Sequence, residues 1–140
     1  EPSDDYKIDP EGSFTLIDLS NGVQNANVKQ ITLNNIKVPA GARIVKPGSS
    51  FAEDAEPEYI TFAPDGKKAY ATLQENNAIA TIDIASAKVI NVSGLGFKNV
   101  SRISHDMSNE DGGINMKRWP VLMMYQPDAI VSTRQKEVHI

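Results

Sequence analysis

"YITFAPDGKKAYATLQENNAIATIDI", Tyr59 to Ile84, reverses direction twice with almost nothing spare between its extended runs. The first reversal is PDGK (Pro64–Lys67), in which Pro presets φ and Gly supplies a positive φ. The second is QENN (Gln74–Asn77). Working outward, β-branched and apolar alternation predicts strands over Glu58–Ala63, Lys68–Leu73, Ala78–Ile84 and, after the short ASA turn, Lys88–Val92. Four antiparallel strands in about 35 residues are what one blade of a β-propeller requires.

Two further runs, Ser13–Leu19 and Val28–Leu33, flank a Gly- and Asn-bearing turn, so the fold class is all-β. FTLIDL (Phe14–Leu19) resembles ATIDI (Ala80–Ile84), and EPEYI (Glu56–Ile60) resembles QPDAI (Gln126–Ile130). These internal matches predict a propeller segment: 1–33 the end of one blade, 34–55 an inserted loop, 56–93 a complete blade, 94–125 a second inserted loop, and 126–140 the start of the next. Both inserted loops exceed the ~12–15 residues of an ordinary connection, and such insertions usually gather on one face, where binding occurs. One blade cannot cover both of its own faces. Its expected partners are therefore the remaining blades of a parent chain or other polypeptides of the same assembly.

The 140 residues carry a net charge of −4, with 40% hydrophobic and 23% charged residues, ordinary values for a globular domain. Lys and Arg form no stripe, which argues against nucleic acid, and no apolar run reaches the ~18–20 residues of a membrane span. The absence of cysteine excludes disulfides, thiolate metal sites and a cysteine nucleophile. The amino end, EPSDDYKIDPEG, has neither the basic flank nor the apolar segment of a signal peptide, and it lacks an initiating Met. The chain is therefore expected to be processed, cleaved or only part of a longer protein.

Acidic residues recur beside strand starts: Glu1, Asp4 and Asp5, then Glu56 and Glu58, then Asp128. If those strands are the innermost of their blades, the carboxylates gather at one mouth of a central channel, and calcium favours such oxygen ligands. The competing reading is that the acids cap turns. HDMSNEDGGIN (His105–Asn115) fails the register of an EF-hand loop, because Asp111 falls where Gly is required when counting from Asp106. A different calcium site using Asp106, Asn109 and Asp111 stays open beside an ordinary solvated loop. Asn91 and Asn99 each open an N-x-Ser sequon, the acceptor for an N-glycan in a secreted eukaryotic chain. Trp119 lies in the apolar run KRWPVLMMYQP, which reads as packing between blades rather than as a ligand platform.

No catalytic residue is assigned. His105 and His139 are the only histidines and lack paired metal spacing, and there is neither a G-x-S-x-G elbow nor a phosphate loop. General acid–base work by a carboxylate pair stays open, so enzyme activity is left undecided.

The motifs EPSDDYKIDPEGSFTLIDLSNG, EPEYITFAPDGKKAYATLQENNAIATIDIASAKV, GLGFK, DMSNEDGGIN and WPVLMMYQPDAI, in this order, resemble the choice-of-anchor I family. Animal members of that family are called mesenchyme-specific cell surface glycoproteins. The resemblance spans nearly the whole chain and departs in Leu33–Ser50, which is shorter than the family pattern. It implies a propeller of seven blades in a secreted or surface-attached protein, with this chain an internal fragment. Some bacterial relatives carry alkaline-phosphatase-like names, but no catalytic residue set comes with the resemblance. The expected function is a non-catalytic extracellular or cell-surface module for structure, adhesion or protein interaction. The alternative is a calcium-dependent phosphoesterase that uses the channel-mouth carboxylates.

Overall fold

The computed structural model describes residues 10–134. Eight strands form three antiparallel sheets, and the only other regular elements among the described residues are two short helical turns. β1 (Ser13–Asp18) pairs with β2 (Asn27–Thr32), and β3 (Pro57–Phe62), β4 (Lys68–Leu73), β5 (Ala78–Asp83) and β6 (Lys88–Gly94) form one four-stranded meander. β7 (Phe97–Asn99) pairs with β8 (Leu122–Met124). The all-β expectation holds, and the six strands read from alternation match β1 to β6 to within a residue or two at each end.

The turns form for the reasons their residues suggest. At the β3–β4 reversal Gly66 takes φ 69°, the Ala63 N–H donates to Lys68 O at 2.9 Å, and the Lys67 N–H donates to Asp65 Oδ1 at 3.0 Å. At the β5–β6 reversal Asp83 Oδ1 accepts from the Ser86 hydroxyl at 2.6 Å and from the Ser86 N–H at 2.8 Å. A bulge interrupts the β3–β4 register between Pro57 and Ile60. The buried Thr72 hydroxyl serves the backbone freed there, accepting from the Tyr59 N–H at 3.0 Å.

One face of the meander is lined by small residues. Ala69, Ala71 and Leu73 of β4 and Ala78, Ala80 and Ile82 of β5 are all at most 1% exposed, the period of two expected of a covered strand face. The β1–β2 hairpin and the 34–55 connection lie over this face, bringing Leu33, Phe51 and Ala52 to it, with Phe14, Ile36 and Ile44 packed around them. Ile31, Ala69 and Ile82 make a second cluster with Phe14 and Leu16.

Neither long connection is structureless. The first contains α1 (Phe51–Asp54), a single turn held by a capping box in which Ser50 and Glu53 exchange hydrogen bonds. The second contains β7 and β8, with an isolated bridge between His105 and Lys117 further out along the same arm. Where the two connections cross, the backbones touch: a Cβ on Gly94 would run into Ala40 O and Ala42 N, and one on Gly41 would sit 2.6 Å from Gly96 N. Gly41 also has φ 83°. Both positions need glycine for clearance, and Gly41 needs it for conformation as well.

Hydrogen bonds to the ionised form depress three carboxyls. Asp83 is held below its ordinary 3.8, first by the Ser86 hydroxyl and then by the Ser86 N–H. Asp18 is lowered by the Ser20 backbone and Glu53 by the Ser50 backbone in the same way. A depressed folded pKa contributes stability above the unfolded value and loses it as pH falls through the folded one. The urea midpoint should therefore be level above about pH 5 and fall on further acidification. Ser86→Ala should return Asp83 toward 3.8 in an NMR titration, and an unmoved Asp83 would show that the Ser86 contact is not its cause.

Candidate functional site

The turn between β4 and β5, QENN, organises one end of the sheet. Asn76 and Asn77 are both fully buried, and Asn77 has φ 52°, a left-handed conformation that Asn tolerates better than most residues. The Asn77 amide is used at both ends. Its Nδ2 donates to Gly41 O at 2.9 Å and Gly96 O at 2.8 Å, and its Oδ1 accepts from the N–H groups of Tyr125 at 2.8 Å and Gln126 at 3.1 Å. Three remote stretches of chain therefore meet on one side chain.

Asn76 works on the other side. Its Nδ2 donates to Asp54 Oδ2 at 2.7 Å and Asp54 O at 3.1 Å, and its Oδ1 accepts from the Glu56 N–H at 3.3 Å. The Asp54 carboxylate, 4% exposed, also accepts from the Lys46 N–H at 2.7 Å and the Val45 N–H at 2.8 Å. A buried carboxylate with this many donors is satisfied without a cation. The Arg43–Glu75 pair at 2.9 Å closes the rim, and its partial exposure makes it a minor contributor.

Glu58 and Asp128 lie on either side of Gln74, at the same end of the sheet. The Gln74 amide nitrogen is 3.3 Å from Asp128 Oδ1 in one orientation. Turned end for end, it is 3.1 Å from both Glu58 carboxylate oxygens. One amide can thus donate to either acid. Glu56 is exposed and joins this end through its backbone N–H on Asn76.

Asp106 and Asp111 meet elsewhere, in the arm beyond the His105–Lys117 bridge. Asp106 Oδ2 accepts from the Asn115 N–H at 3.3 Å, and Asp111 Oδ2 accepts from Asn115 Nδ2 at 3.0 Å. Asn109 is exposed in the same loop. Among the described residues, no three His, Cys, Asp or Glu side chains form a group able to hold a metal ion. Glu1, Asp4, Asp5 and His139 lie outside the described residues.

Trp119 is half-buried within the arm, donating from Nε1 to His105 O at 2.9 Å, with Lys117 Nζ 4.2 Å from its ring centroid. The run that follows it is more open than its apolarity suggests, with Leu122 61% and Tyr125 58% exposed. Both sequon asparagines are exposed. Asn91, in β6, donates to Ser93 Oγ at 2.8 Å. Asn99, at the end of β7, accepts from the Ser101 N–H at 2.9 Å and the Ser101 hydroxyl at 2.7 Å.

The family model for the choice-of-anchor I domain matches residues 1–139. The chain belongs to the choice-of-anchor I domain family. No curated protein and no solved structure matches it. The family's description points to a surface-anchoring or interaction module, and among the described residues no helix is long and apolar enough to cross a membrane. In this choice-of-anchor I domain, Asn76, Asn77 and Asp54 are buried polar residues that tie the surrounding loops to the end of the sheet. Sequence reasoning passed over all three, because Asn in a hairpin turn ordinarily reads as solvated.

Asn77→Ala removes four hydrogen bonds and leaves two carbonyls and two N–H groups without their partner. Unfolding in urea should show a loss of about 2–4 kcal/mol. Asn77→Gly relieves the backbone but not the lost bonds, so it should remain well below wild type. A glycine variant as stable as wild type would reduce the role of Asn77 to its φ angle.

Proposed function

We propose that this domain is a segment of an extracellular or cell-surface β-propeller, seven-bladed by family resemblance, that works as a structural, adhesion or protein-interaction module rather than as an enzyme. The observation that carries this reading is the Asn76–Asn77 turn, which gathers the 41–46, 54–56, 94–96 and 125–126 stretches at one end of a four-stranded meander. A rigid end that presents loops is what a binding module needs. The course of residues 126–134 agrees with the start of a next blade: Gln126 is tied to Asn77 at one end of the sheet and Arg134 to Pro64 O at the other. The remaining blades, from the parent chain or from other polypeptides, complete the propeller.

N-glycans on Asn91 and Asn99 fit this setting, since both side chains reach solvent. Expressed through a eukaryotic secretory pathway, the protein should lose hexosamine mass at Asn99 on enzymatic deglycosylation. Asn99→Gln should abolish that loss. Unmodified asparagines at both sequons would count against the extracellular reading.

A second reading has its own observation. Glu58 and Asp128 flank Gln74, whose amide can donate to one or the other, and this supports a reading in which a calcium-dependent phosphoesterase uses channel-mouth carboxylates. Glu56 is a neighbour in sequence, and Asp106, Asn109 and Asp111 would be a separate calcium loop. Assays of the whole protein on phosphomonoesters and phosphodiesters, with calcium and with chelator, separate the readings. The module reading predicts no turnover in either condition. Turnover lost on chelation and in Glu58→Gln or Asp128→Asn would overturn it in favour of the enzyme.

A further inference from the structure

The covered face of the β3–β6 sheet is covered unevenly. By register Ile60 stands opposite Ala71 and Phe62 opposite Ala69, so these β3 residues point to the same face as the buried alanines. Yet Ile60 is 48% and Phe62 56% exposed, while Ala69 and Ala71 are each 1% exposed. The reason lies in the overlying hairpin. β2 contacts β6 at the far side of the sheet, β1 lies toward β3, and two strands about 4.8 Å apart do not reach across four.

What is left bare has a definite shape. Two grooves lie between β1 and β3, one toward each end of the strands. The first, about 250 Å³, lies among Phe14, Pro57, Tyr59, Ile60 and Ala71. The second, about 410 Å³, has Leu16, Leu19, Phe62 and Ile84 on its apolar walls and Asp18 and, from β2, Lys29 on its polar ones. The first runs beside the edge of β1 that pairs with no strand among the described residues, and the second reaches from there under the end of the β1–β2 hairpin. An unpaired edge beside grooves of mixed lining, with Ile60 and Phe62 open on one wall, fits backbone that pairs with the edge and alternate side chains that cover those two residues.

We infer that β1 is an interior strand: a further antiparallel strand of the same polypeptide, apolar at alternate residues, pairs with its free edge and covers Ile60 and Phe62. The inference rests on the propeller reading and deepens it, naming the edge where the flanking sheet continues and the residues it shields. The interface is continuous with one already present, since Phe14 and Leu16 of β1 pack into the same core. A strand is favoured over a small molecule because both grooves are open and the first runs along a backbone edge. A consecutive meander favours the same chain, since neighbouring strands are usually joined directly.

The 140 residues contain no cysteine, which makes single-cysteine labelling readable peptide by peptide. In the whole natural protein, Ile60→Cys and Phe62→Cys should react with a maleimide at least about tenfold more slowly than in the same protein unfolded in urea, because reaction then needs a local opening. The slowing should not depend on protein concentration. Labelling of either residue as fast as when unfolded would overturn the inference, and protection that grows with concentration would assign the edge to a second copy instead. Thr61→Cys, whose residue pairs with Tyr70 on the opposite face, separates the two levels. Protection at 61 with 60 and 62 open would leave the propeller reading standing and remove this one, whereas all three open would remove both.

Discussion

Asparagine carries the smallest side chain that can donate two hydrogen bonds and accept two at the same time, and the loop end of this sheet depends on that property at Asn77. Its nitrogen meets Gly41 O and Gly96 O while its oxygen meets the N–H groups of Tyr125 and Gln126. An aspartate there would set a carboxylate against two carbonyls, and a leucine would strand four buried polar groups. Asn76 extends the arrangement to Asp54, whose buried carboxylate in turn fixes the backbone at Val45 and Lys46. Hydrogen bonds in such a dry site are strong when complete and costly when broken, so the loops stand or fall together.

That constraint shapes what the domain can do. The alanine-rich face lets the hairpin and the 34–55 connection settle closely on β4 and β5, which supplies the apolar core. The polar turn then decides where the connections emerge. Glu58, Gln74 and Asp128 lie at this same end, and the arm that carries Trp119 and the Asp106–Asn115 loop leaves from it through Gly94–Gly96. Gln74 with its flanking acids, and the base of that arm, are thus held beside one hairpin turn.

The strands were legible because alternation at a period of two has one cause, a face that must be buried, and Ala78 to Asp83 shows it without interruption. The PDGK turn was legible because Pro and Gly each restrict the backbone in a known way. Asn76 and Asn77 were not, since the residues that bury them come from positions far away in sequence, and nothing local distinguishes a buried turn asparagine from a solvated one. β7 and β8 were missed for another reason: three residues, Phe97–Asn99 and Leu122–Met124, are too few to display a period.

Native-state hydrogen exchange tests the central role of the turn most directly. The amides of Arg43, Leu95 and Tyr125 donate respectively to Asn76 O, Asn77 O and Asn77 Oδ1, though they come from three separate stretches of chain. If the turn holds them as one unit, the three should open with the same free energy and respond equally to added urea. Exchange of Tyr125 or Leu95 much faster than Arg43, at its own urea dependence, would contradict the account.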